Sequence, residues 1–385
     1  MKRTLSMLLC LCMIFSLAFC LTGCGSTAQP EAAAPAEDAA PAEEEAAPAE
    51  EAAPAEEDAP AEETAEIDPV QLVVASSFTA GETGGQIVTY YCDRVTELSG
   101  GAITFQIYDG ATLCSQGEEF DYLQDGSIDL CLTTPNHLMS TVPFAYGVCS
   151  NVSMEDPGAL MNYLLFENEE TGALIAEQAA QNRNMVILGA TVSGSSIIAS
   201  SKPVNDIEDL ANQTMGTPVN IDVYNGLGVP TVMAAPPEMY DGVSRGVYDG
   251  IIFAAAPYVT NSLYEVAPNV LYTGVYNSGQ LICANLDTWN GLGEAAQEIM
   301  LQAANDTLAF SAHCYEDGES QVEDVSASVA TMDETSSQEL VQRLFGGSID
   351  SVRASSANLG ASEGQEVIIQ AISDYLGFDV TAFAS

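Results

Sequence analysis

Basic side chains are scarce in this sequence of 385 residues. Only 8 residues are Lys or Arg against 55 Asp and Glu, a formal net charge of −47 at pH 7. Such a field repels nucleic acids and anionic surfaces, so neither is expected as a partner. The basic residues after the first few positions are Arg94, Arg183, Lys202, Arg245, Arg343 and Arg353. A ligand carboxylate would have to be held by one of these side chains or by backbone amides.

Histidine is scarcer still, because His137 and His313 are the only two. Without a histidine cluster a zinc enzyme is disfavoured, and no cofactor or metal is expected. Cysteine is present, but no pair has the Cys-x-x-Cys spacing. Downstream of residue 24 the cysteines are Cys92, Cys114, Cys131, Cys149, Cys283 and Cys314. In an exported chain they allow three disulfides in fifteen pairings, and free buried thiols are an equal alternative.

The first residues have the pattern of an export signal. Lys2 and Arg3 precede an apolar run from Leu5 to Leu21, which is too short and wrongly flanked for a transmembrane helix. The segment Leu21-Thr22-Gly23-Cys24 resembles the lipobox of bacterial lipoproteins, in which cleavage leaves the cysteine as the acylated N-terminus. The resemblance implies a signal peptide over residues 1–23 and an extracytoplasmic protein attached to the cell membrane only through a palmitate-type lipid anchor on Cys24.

Residues 24–67 have the composition of a tether. Ala, Pro and Glu dominate, with near-copies of one unit beginning at Ala34, Ala40, Ala47, Ala53 and Ala59. The recurring prolines block a continuous helix and the like charges repel one another. We therefore expect a disordered, extended spacer between the anchor and a folded domain at 68–385.

The domain from residue 68 onward reads as alternating strands and helices. Leu72 to Ser76 and Met185 to Gly189 are apolar strand candidates, and Pro157 to Ala180 has the pattern of one long helix. This βαβα order favours an α/β fold with a mostly parallel sheet. The length exceeds one comfortable core, so we expect two lobes with a ligand cleft between them. Lobe I is predicted at about 68–190 plus 279–320, and lobe II at about 191–278 plus 321–385.

Several short motifs of this domain lie at 100–105, 109–113, 124–130, 142–147, 201–210, 246–250, 264–266 and Trp289. In this order they resemble the solute-binding proteins of tripartite ATP-independent (TRAP) transporters. The resemblance implies a two-lobed, periplasmic-binding-protein-like fold with a ligand cleft, in which crossing strands and a long helix join the lobes. It also implies a small-molecule ligand, delivered without chemistry to TRAP membrane permease subunits.

The sequence departs from this family at the positions that bind a ligand carboxylate. The family's arginine in the strand after the Asp209-Leu210 turn falls at Gly216, and a second arginine falls at Ser195 or Ser196. The polar residues that usually follow Asp249-Gly250 are replaced by Ile251 to Phe253. With these anchors missing together, we expect a neutral or largely apolar ligand, held by aromatic faces and hydroxyls.

By position in the resemblance, the candidate ligand-binding residues share aromatic, hydroxyl or amide character, except for one glycine. They are Phe78, Thr133, Thr134, Ser195, Ser196, Gly216, Asn220, Tyr224, Phe253, Tyr258 and Tyr276. For each of them, core packing or a hydroxyl that satisfies the backbone is the competing interpretation.

Two other functions fit parts of the sequence. Gly242 to Gly246 matches the Gly-x-Ser-x-Gly string of serine hydrolases, with Ser244 as the nucleophile. That motif requires a strand, then Ser, then a helix. Here the order is predicted to be inverted, so a hydrolase is the weakest alternative. A surface receptor that serves a sensor or an extracytoplasmic reductase would have the same fold, so the sequence alone does not separate it from a transport protein.

Overall fold

The computed structural model describes residues 67–149, 157–218, 220–382 and 384. The predicted signal peptide, Cys24 and all of the tether except Ile67 lie outside these residues. Within the described part of the chain, no helix is both long enough and apolar enough to span a bilayer.

The strands of the described residues include two that are unusually long. They are β1 (Val70–Ala75), β2 (Ile103–Tyr108), β3 (Leu130–Thr133), β4 (Met185–Ser200), β5 (Met215–Thr217), β6 (Thr231–Met233), β7 (Gly250–Ala254), β8 (Asn269–Asn285) and β9 (Ser328–Thr331).

The helices that accompany them are α1 (Thr83–Leu98), α2 (Glu119–Gln124), α3 (Pro143–Cys149), α4 (Pro157–Asn162), α5 (Glu169–Arg183), α6 (Ile221–Gly226), α7 (Met239–Ser244), α8 (Ala255–Thr260), α9 (Leu286–Gly291), α10 (Glu294–Ser320), α11 (Val322–Val325), α12 (Glu334–Asn358) and α13 (Ser362–Leu376).

All of these strands belong to one sheet, with the order β2-β1-β3-β8-β4-β7-β5-β6 and β9 paired to β8. One half contains the parallel strands β1, β2 and β3, and the other the parallel strands β5, β6 and β7. The antiparallel strands β4 and β8 run through both halves and join them. The predicted α/β class with crossing strands is therefore confirmed.

The crossing strands are much longer than the sequence predicted, because β4 continues to Ser200 instead of ending at Gly189. The small residues from Gly189 to Ser196 had the composition of a turn. In the structure they form an irregular segment in which the register with β8 shifts repeatedly. Such bulges bend a strand without ending its pairing. Helix α10 packs along this segment, and the backbone N–H of Val192 donates to the Ser311 hydroxyl over 3.2 Å.

Helix α1 shows why the apolar pattern predicted local structure well. Ile87, Tyr91 and Val95 recur at helical spacing and are buried against the first half of the sheet, as expected. The predicted helix over Pro157 to Ala180 is instead divided. A π-helical turn at Tyr163–Glu167 separates α4 from α5, and Asn168 caps α5 by accepting from the N–H of Thr171 over 3.1 Å. The Asn168 side chain offers the backbone a hydrogen bond that competes with continuation of the helix.

The cysteines whose side chains are described, Cys92, Cys114, Cys131, Cys283 and Cys314, are free thiols. Cys131 and Cys283 are directly opposite one another on β3 and β8 and are fully buried. Burial raises the pKa of the Cys92 thiol well above its usual range. Of the two alternatives left open by the sequence, the structure has the reduced form for these five.

Candidate functional site

The candidate site lies where the parallel strands end. Ser76, Ser77 and Phe78 directly follow β1, and Thr133 is the last residue of β3. In the other half, Thr217 is the last residue of β5. In α/β sheets, ligands bind outside the carboxyl ends of the strands. The stretch of β8 from Val275 to Gln280, about 16 Å of extended chain, runs between the two halves.

Three polar side chains of the first half belong to the ends of its strands and to β8. Ser77 is the second residue after β1, Thr133 is the last residue of β3, and Thr133 pairs with Leu281, which directly follows Gln280 on β8. Ser77 Oγ, Thr133 Oγ1 and Gln280 Oε1 are buried and have no hydrogen-bond partner. In the described part of the chain only two other side-chain atoms share this property, and one of them, Glu119 Oε1, also lies close to Ser77. Buried polar atoms are normally paired, so this concentration indicates a place where a ligand or water completes the pairing.

Glu119 is the most unusual of these groups, because its carboxyl is completely buried in the first half. Its Oε2 accepts a hydrogen bond from the backbone N–H of Gly117, and its Oε1 is unpartnered. Burial raises the pKa of Glu119. The backbone N–H groups of Glu119 and Gly117, the Ser77 hydroxyl and nearby His137 oppose this shift in part. The result is a buried acceptor at the strand edge with no cation paired to it.

An aromatic ring packs beside these acceptors. A Cβ atom at Gly84, near the start of α1, would lie 2.6 Å from Cγ of Phe78 and 2.7 Å from Nε2 of Gln280. Phe78 and Gln280 therefore meet at the beginning of α1, in space that only a glycine leaves open. Phe78 is half-buried. The Phe78 ring thus places an apolar surface next to the unpartnered oxygen of Gln280, and we refer to these groups as the wall of the first half.

The second half contributes hydroxyls and a second aromatic group. Ser196 lies beside Tyr224, and burial raises the pKa of Tyr224 to about 12, an effect partly opposed by the hydrogen bond with Ser196. Asn220 directly precedes α6 and has a left-handed backbone at φ 60°, and α6 carries Tyr224. Phe253 is half-buried near the end of β7 and pairs with Ile197 of β4. These residues and Thr217 form the wall of the second half.

Seven of the predicted residues lie near the carboxyl ends of the parallel strands, the first three in one half of the sheet and the last four in the other. They are Phe78, Thr133, Thr134, Ser196, Asn220, Tyr224 and Phe253.

The remaining four predicted residues lie elsewhere. Ser195 and Ser196 are consecutive on β4, so their side chains point to opposite faces of the sheet. Ser195 donates through its hydroxyl to Glu319 of α10 over 2.8 Å and lines a separate cavity with Tyr276. Tyr258 is fully buried in a core cluster, and its hydroxyl donates to the Ala267 carbonyl over 3.1 Å. Tyr258 is therefore a packing residue of this core cluster.

At Gly216, the space expected for an arginine is already filled. A Cβ there would be 2.9 Å from the Tyr248 ring and 2.9 Å from Cβ of Ala234. The Tyr248 hydroxyl fixes its own ring by donating to the Glu238 carbonyl over 3.0 Å. Tyr248 thus excludes a large side chain from position 216.

Gly216→Arg is expected to destabilise the fold by about 1–3 kcal/mol, because the new side chain must displace the buried Tyr248 ring. Gly226→Arg is the matched control, since a Cβ at Gly226 meets nothing within 4 Å. Urea denaturation of both variants measures the difference. Equal stability of the two variants would contradict the packing at Gly216.

Every basic side chain after residue 66 is engaged in an ion pair. The pairs are Arg94 with Glu97 and Asp306, Arg183 with Asp121, Lys202 with Asp249, Arg245 with Asp241, Arg343 with Glu339, and Arg353 with Glu366. Neither wall of the cleft contains one of these cations. The site therefore presents hydrogen-bond acceptors, hydroxyls and rings, without a Lys or Arg side chain.

The arrangement around Ser244 is that predicted from the sequence. Ser244 is the exposed last residue of α7, and the strand β7 follows it. A nucleophile elbow needs the reverse order, in which a strand leads into the serine and a helix follows.

Four groups of the site were missed by sequence reasoning, namely Ser77, Glu119, Thr217 and Gln280. Glu119 lies one residue after Glu118 in a short acidic stretch that reads as a solvated helix start. Gln280 lies inside β8, whose length was not recognised. The only available signal for Gln280 was a lone amide directly before the apolar strand segment Leu281 to Ala284.

Two lobes joined by crossing strands, with polar groups gathered at facing strand ends, define the class of extracytoplasmic solute-binding proteins. More specifically, the chain belongs to the family described as bacterial extracellular solute-binding protein, family 7, whose model matches residues 74–357.

Individual relatives are distant but cover most of the domain. A solute-binding protein of Sulfitobacter sp. (strain NAS-14.1) is 24% identical over 304 residues, 76% of this chain and 89% of that protein. The ectoine-binding periplasmic protein TeaA of Halomonas elongata is 22% identical over 205 residues, 52% of this chain and 60% of its own length. A crystal structure of a TRAP periplasmic solute-binding protein from Sulfitobacter sp. NAS-14.1 with bound β-D-galacturonate superposes with a TM-score of 0.61 at 20% identity, covering 78% of this chain and 99% of that one. Members of this family bind small molecules and work with membrane permease subunits.

Proposed function

We propose that this protein captures a small ligand without net negative charge, whose hydrogen-bond donors face Glu119, Gln280, Ser77 and Thr133. The protein delivers this ligand to the permease subunits of a TRAP-type transporter. The single observation that carries the proposal is the set of buried, unpartnered polar atoms at the edge of β1, β3 and β8. The carboxylate oxygen of Glu119 and the amide oxygen of Gln280 accept hydrogen bonds, and the hydroxyls of Ser77 and Thr133 can accept as well as donate, so we expect the ligand to present donors here.

The expected charge of the ligand follows from the ion pairs that already engage the Lys and Arg side chains. A carboxylate ligand would need an arginine taken from an existing ion pair, or backbone amides alone. Breaking an ion pair leaves its acidic partner uncompensated, and placing an anion beside buried Glu119 adds repulsion. The relative from Sulfitobacter is known with a bound uronate. Gly216 and either Ser195 or Ser196 stand here where the family resemblance implies arginines, and this difference supports a change of ligand class.

The rings define the rest of the ligand's shape. Phe78 and Phe253 are half-buried on the two sides of the cleft. Aromatic faces favour flat or apolar surfaces, and they contribute to binding mainly by the area that they remove from water. We therefore expect a ligand with an apolar body and a donor-bearing edge.

The lipid anchor belongs to the same proposal and rests on the sequence pattern at Cys24. An anchor on Cys24 keeps the domain near its permease, at the end of the tether. Incorporation of labelled palmitate that is absent from a Cys24→Ser variant supports this part. Equal labelling of the variant refutes it.

The proposal is tested by identifying the ligand that the protein carries. The protein is purified from its own cells without denaturant, and mass spectrometry of the intact complex and of its extract identifies the bound compound. We expect one small molecule per chain that is neutral or positively charged. A bound mono- or dicarboxylate would overturn the assignment of ligand class, and the family function would remain.

A further inference from the structure

A cavity of about 550 Å³ lies on the α10 side of the crossing strands. It is bounded by β4, β8, β9, the end of α10 and the start of α11. We propose that this cavity is a second binding site, specific for a small organic cation such as a quaternary ammonium compound. Its lining includes Ser195, Tyr272, Tyr276, Glu319, Glu323 and Thr331.

The lining carries negative charge only. Glu319 and Glu323 both contribute carboxylates, and no Lys, Arg or His is among the lining residues. Ser195 orients Glu319, because its backbone N–H and its hydroxyl both donate to that carboxylate. Gly194 makes the close approach possible, since a Cβ there would lie 2.4 Å from Glu319 Oε1. Glu323 forms no hydrogen bond or ion pair with any described residue, so its charge remains available.

Two tyrosine rings complete the site. Tyr272 and Tyr276 are half-buried and line the cavity together with the carboxylates. Burial, followed by the charges of Glu319 and Glu323, raises the pKa of Tyr272 to about 12, so both carboxylates act on the ring's hydroxyl. A cation within about 6 Å of a tyrosine ring is attracted to its face, and a nearby carboxylate adds to that attraction.

The composition favours an organic cation over a metal ion. Ca²⁺ takes six to eight oxygen ligands, and Zn²⁺ takes a compact set of His, Cys and carboxylate groups. In the described part of the chain no group of three or more His, Cys, Asp or Glu is arranged to hold a metal. The volume also lies in the range of small-molecule pockets, roughly 300–1,000 Å³.

This cavity is separate from the cleft at the strand ends. Ser195 faces the cavity and contacts α10, whereas Ser196 faces the opposite side of the sheet and contacts Tyr224 of α6. None of the unpartnered atoms Ser77 Oγ, Thr133 Oγ1 and Gln280 Oε1 belongs to the cavity lining. The two sites therefore lie on opposite faces of β4, and a variant in one leaves the other intact.

The test compares choline with its neutral isostere 3,3-dimethyl-1-butanol in calorimetric titrations of the purified protein. Ionic strength is held constant with sodium chloride, because the chain's negative charge attracts any cation. We expect saturable 1:1 binding of choline, at least tenfold tighter than that of the neutral compound. Equal affinities, or choline binding that does not saturate, would overturn the proposal.

Variants then locate the binding. Glu323→Gln and Tyr276→Leu are each expected to weaken choline binding at least tenfold, whereas Tyr276→Phe and the cleft variant Gln280→Leu should leave it within twofold. Glu323 is exposed, so its replacement does not disturb folding. If Gln280→Leu abolishes binding, or if Glu323→Gln does not change it, choline does not occupy this cavity and the proposal is wrong.

Discussion

Glu119→Gln is expected to raise the free energy of unfolding at neutral pH and at the same time to weaken ligand binding by about 10- to 100-fold. The first effect follows from burial. The folded-state pKa of Glu119 is raised above its unfolded value. Its contribution to stability is therefore fully present only below about pH 4.5 and is lost as pH rises through the folded pKa. At neutral pH the burial of this acidic group therefore costs stability, and a neutral amide removes that cost.

The amide also fits the surroundings of position 119. Its oxygen can still accept from the N–H of Gly117, and its NH2 group can donate to the nearby Ser77 hydroxyl, which has no partner at present. A buried donor is thus not left unsatisfied by the substitution.

The measurement is urea denaturation of wild type and Glu119→Gln between pH 4 and pH 8. The stability difference should be largest at neutral pH and should shrink towards pH 4.5. Glu118→Gln is the matched control with the opposite sign. The Ser115 hydroxyl and backbone N–H lower the pKa of Glu118, so its favourable contribution is present above its unfolded pKa and is lost on acidification. A Glu119→Gln protein that is less stable than wild type at neutral pH would contradict the assigned environment of Glu119.

The loss of affinity has a separate cause. A hydrogen bond to a charged acceptor contributes about 1.5–3 kcal/mol, which corresponds to about 10- to 100-fold in the dissociation constant. Titration of the ligand identified from the native protein measures this loss. If the affinity is unchanged while the stability rises, Glu119 is buried as described but does not contact the ligand.

Gly85→Ala is expected to destabilise the protein by about 3 kcal/mol or more and to remove ligand binding. A Cβ at Gly85 would lie 1.9 Å from the carbonyl oxygen of Thr79 and 2.5 Å from its carbonyl carbon. Both are backbone atoms, so the start of α1 or the segment around Thr79 must move. Overpacking typically costs about 1–3 kcal/mol when side chains can adjust, and here they cannot. The displaced segment carries Phe78, which packs beside Gln280.

Gly81→Ala serves as the control for this variant. It adds the same methyl group in the same segment, and a Cβ at Gly81 meets nothing within 4 Å. Thermal unfolding and ligand titration of both variants should give near-wild-type behaviour for Gly81→Ala and a large loss for Gly85→Ala. Similar stability of the two variants would refute the close approach of α1 to Thr79.

The sequence predicted the fold where apolar periodicity was regular. The strand β1, helix α1 and the inverted helix–strand order around Ser244 agree with the structure because local patterns determine them. The length of β4 and the π turn after α4 were missed. The small residues at 189–196 look like a turn, and only pairing with β8 and packing against α10 keep them extended.

The candidate site was predictable in part. Position in the family resemblance led to Phe78 and Thr133, which lie at the ends of β1 and β3, and to Ser196, which lies within β4 opposite the last residue of β7. The face of each side chain could not be derived in the irregular part of β4, so Ser195 and Tyr276 were grouped with residues of the opposite face. Glu119 could not be found from the sequence, because its significance comes from burial without a cation, which is a property of the tertiary structure.

The central claim is that the cleft accepts donors and excludes ligand carboxylates. Calorimetric titration of the ligand-free protein with matched pairs tests it most directly. Galacturonate is compared with galacturonamide, and a series of aromatic carboxylates with their primary amides. The account predicts measurable binding only among the neutral members, and a ligand at a hundred times its dissociation constant should stabilise the fold by about 2.7 kcal/mol. Tighter binding of the carboxylate in these pairs would contradict the account and would assign this protein the acidic ligands of its relatives.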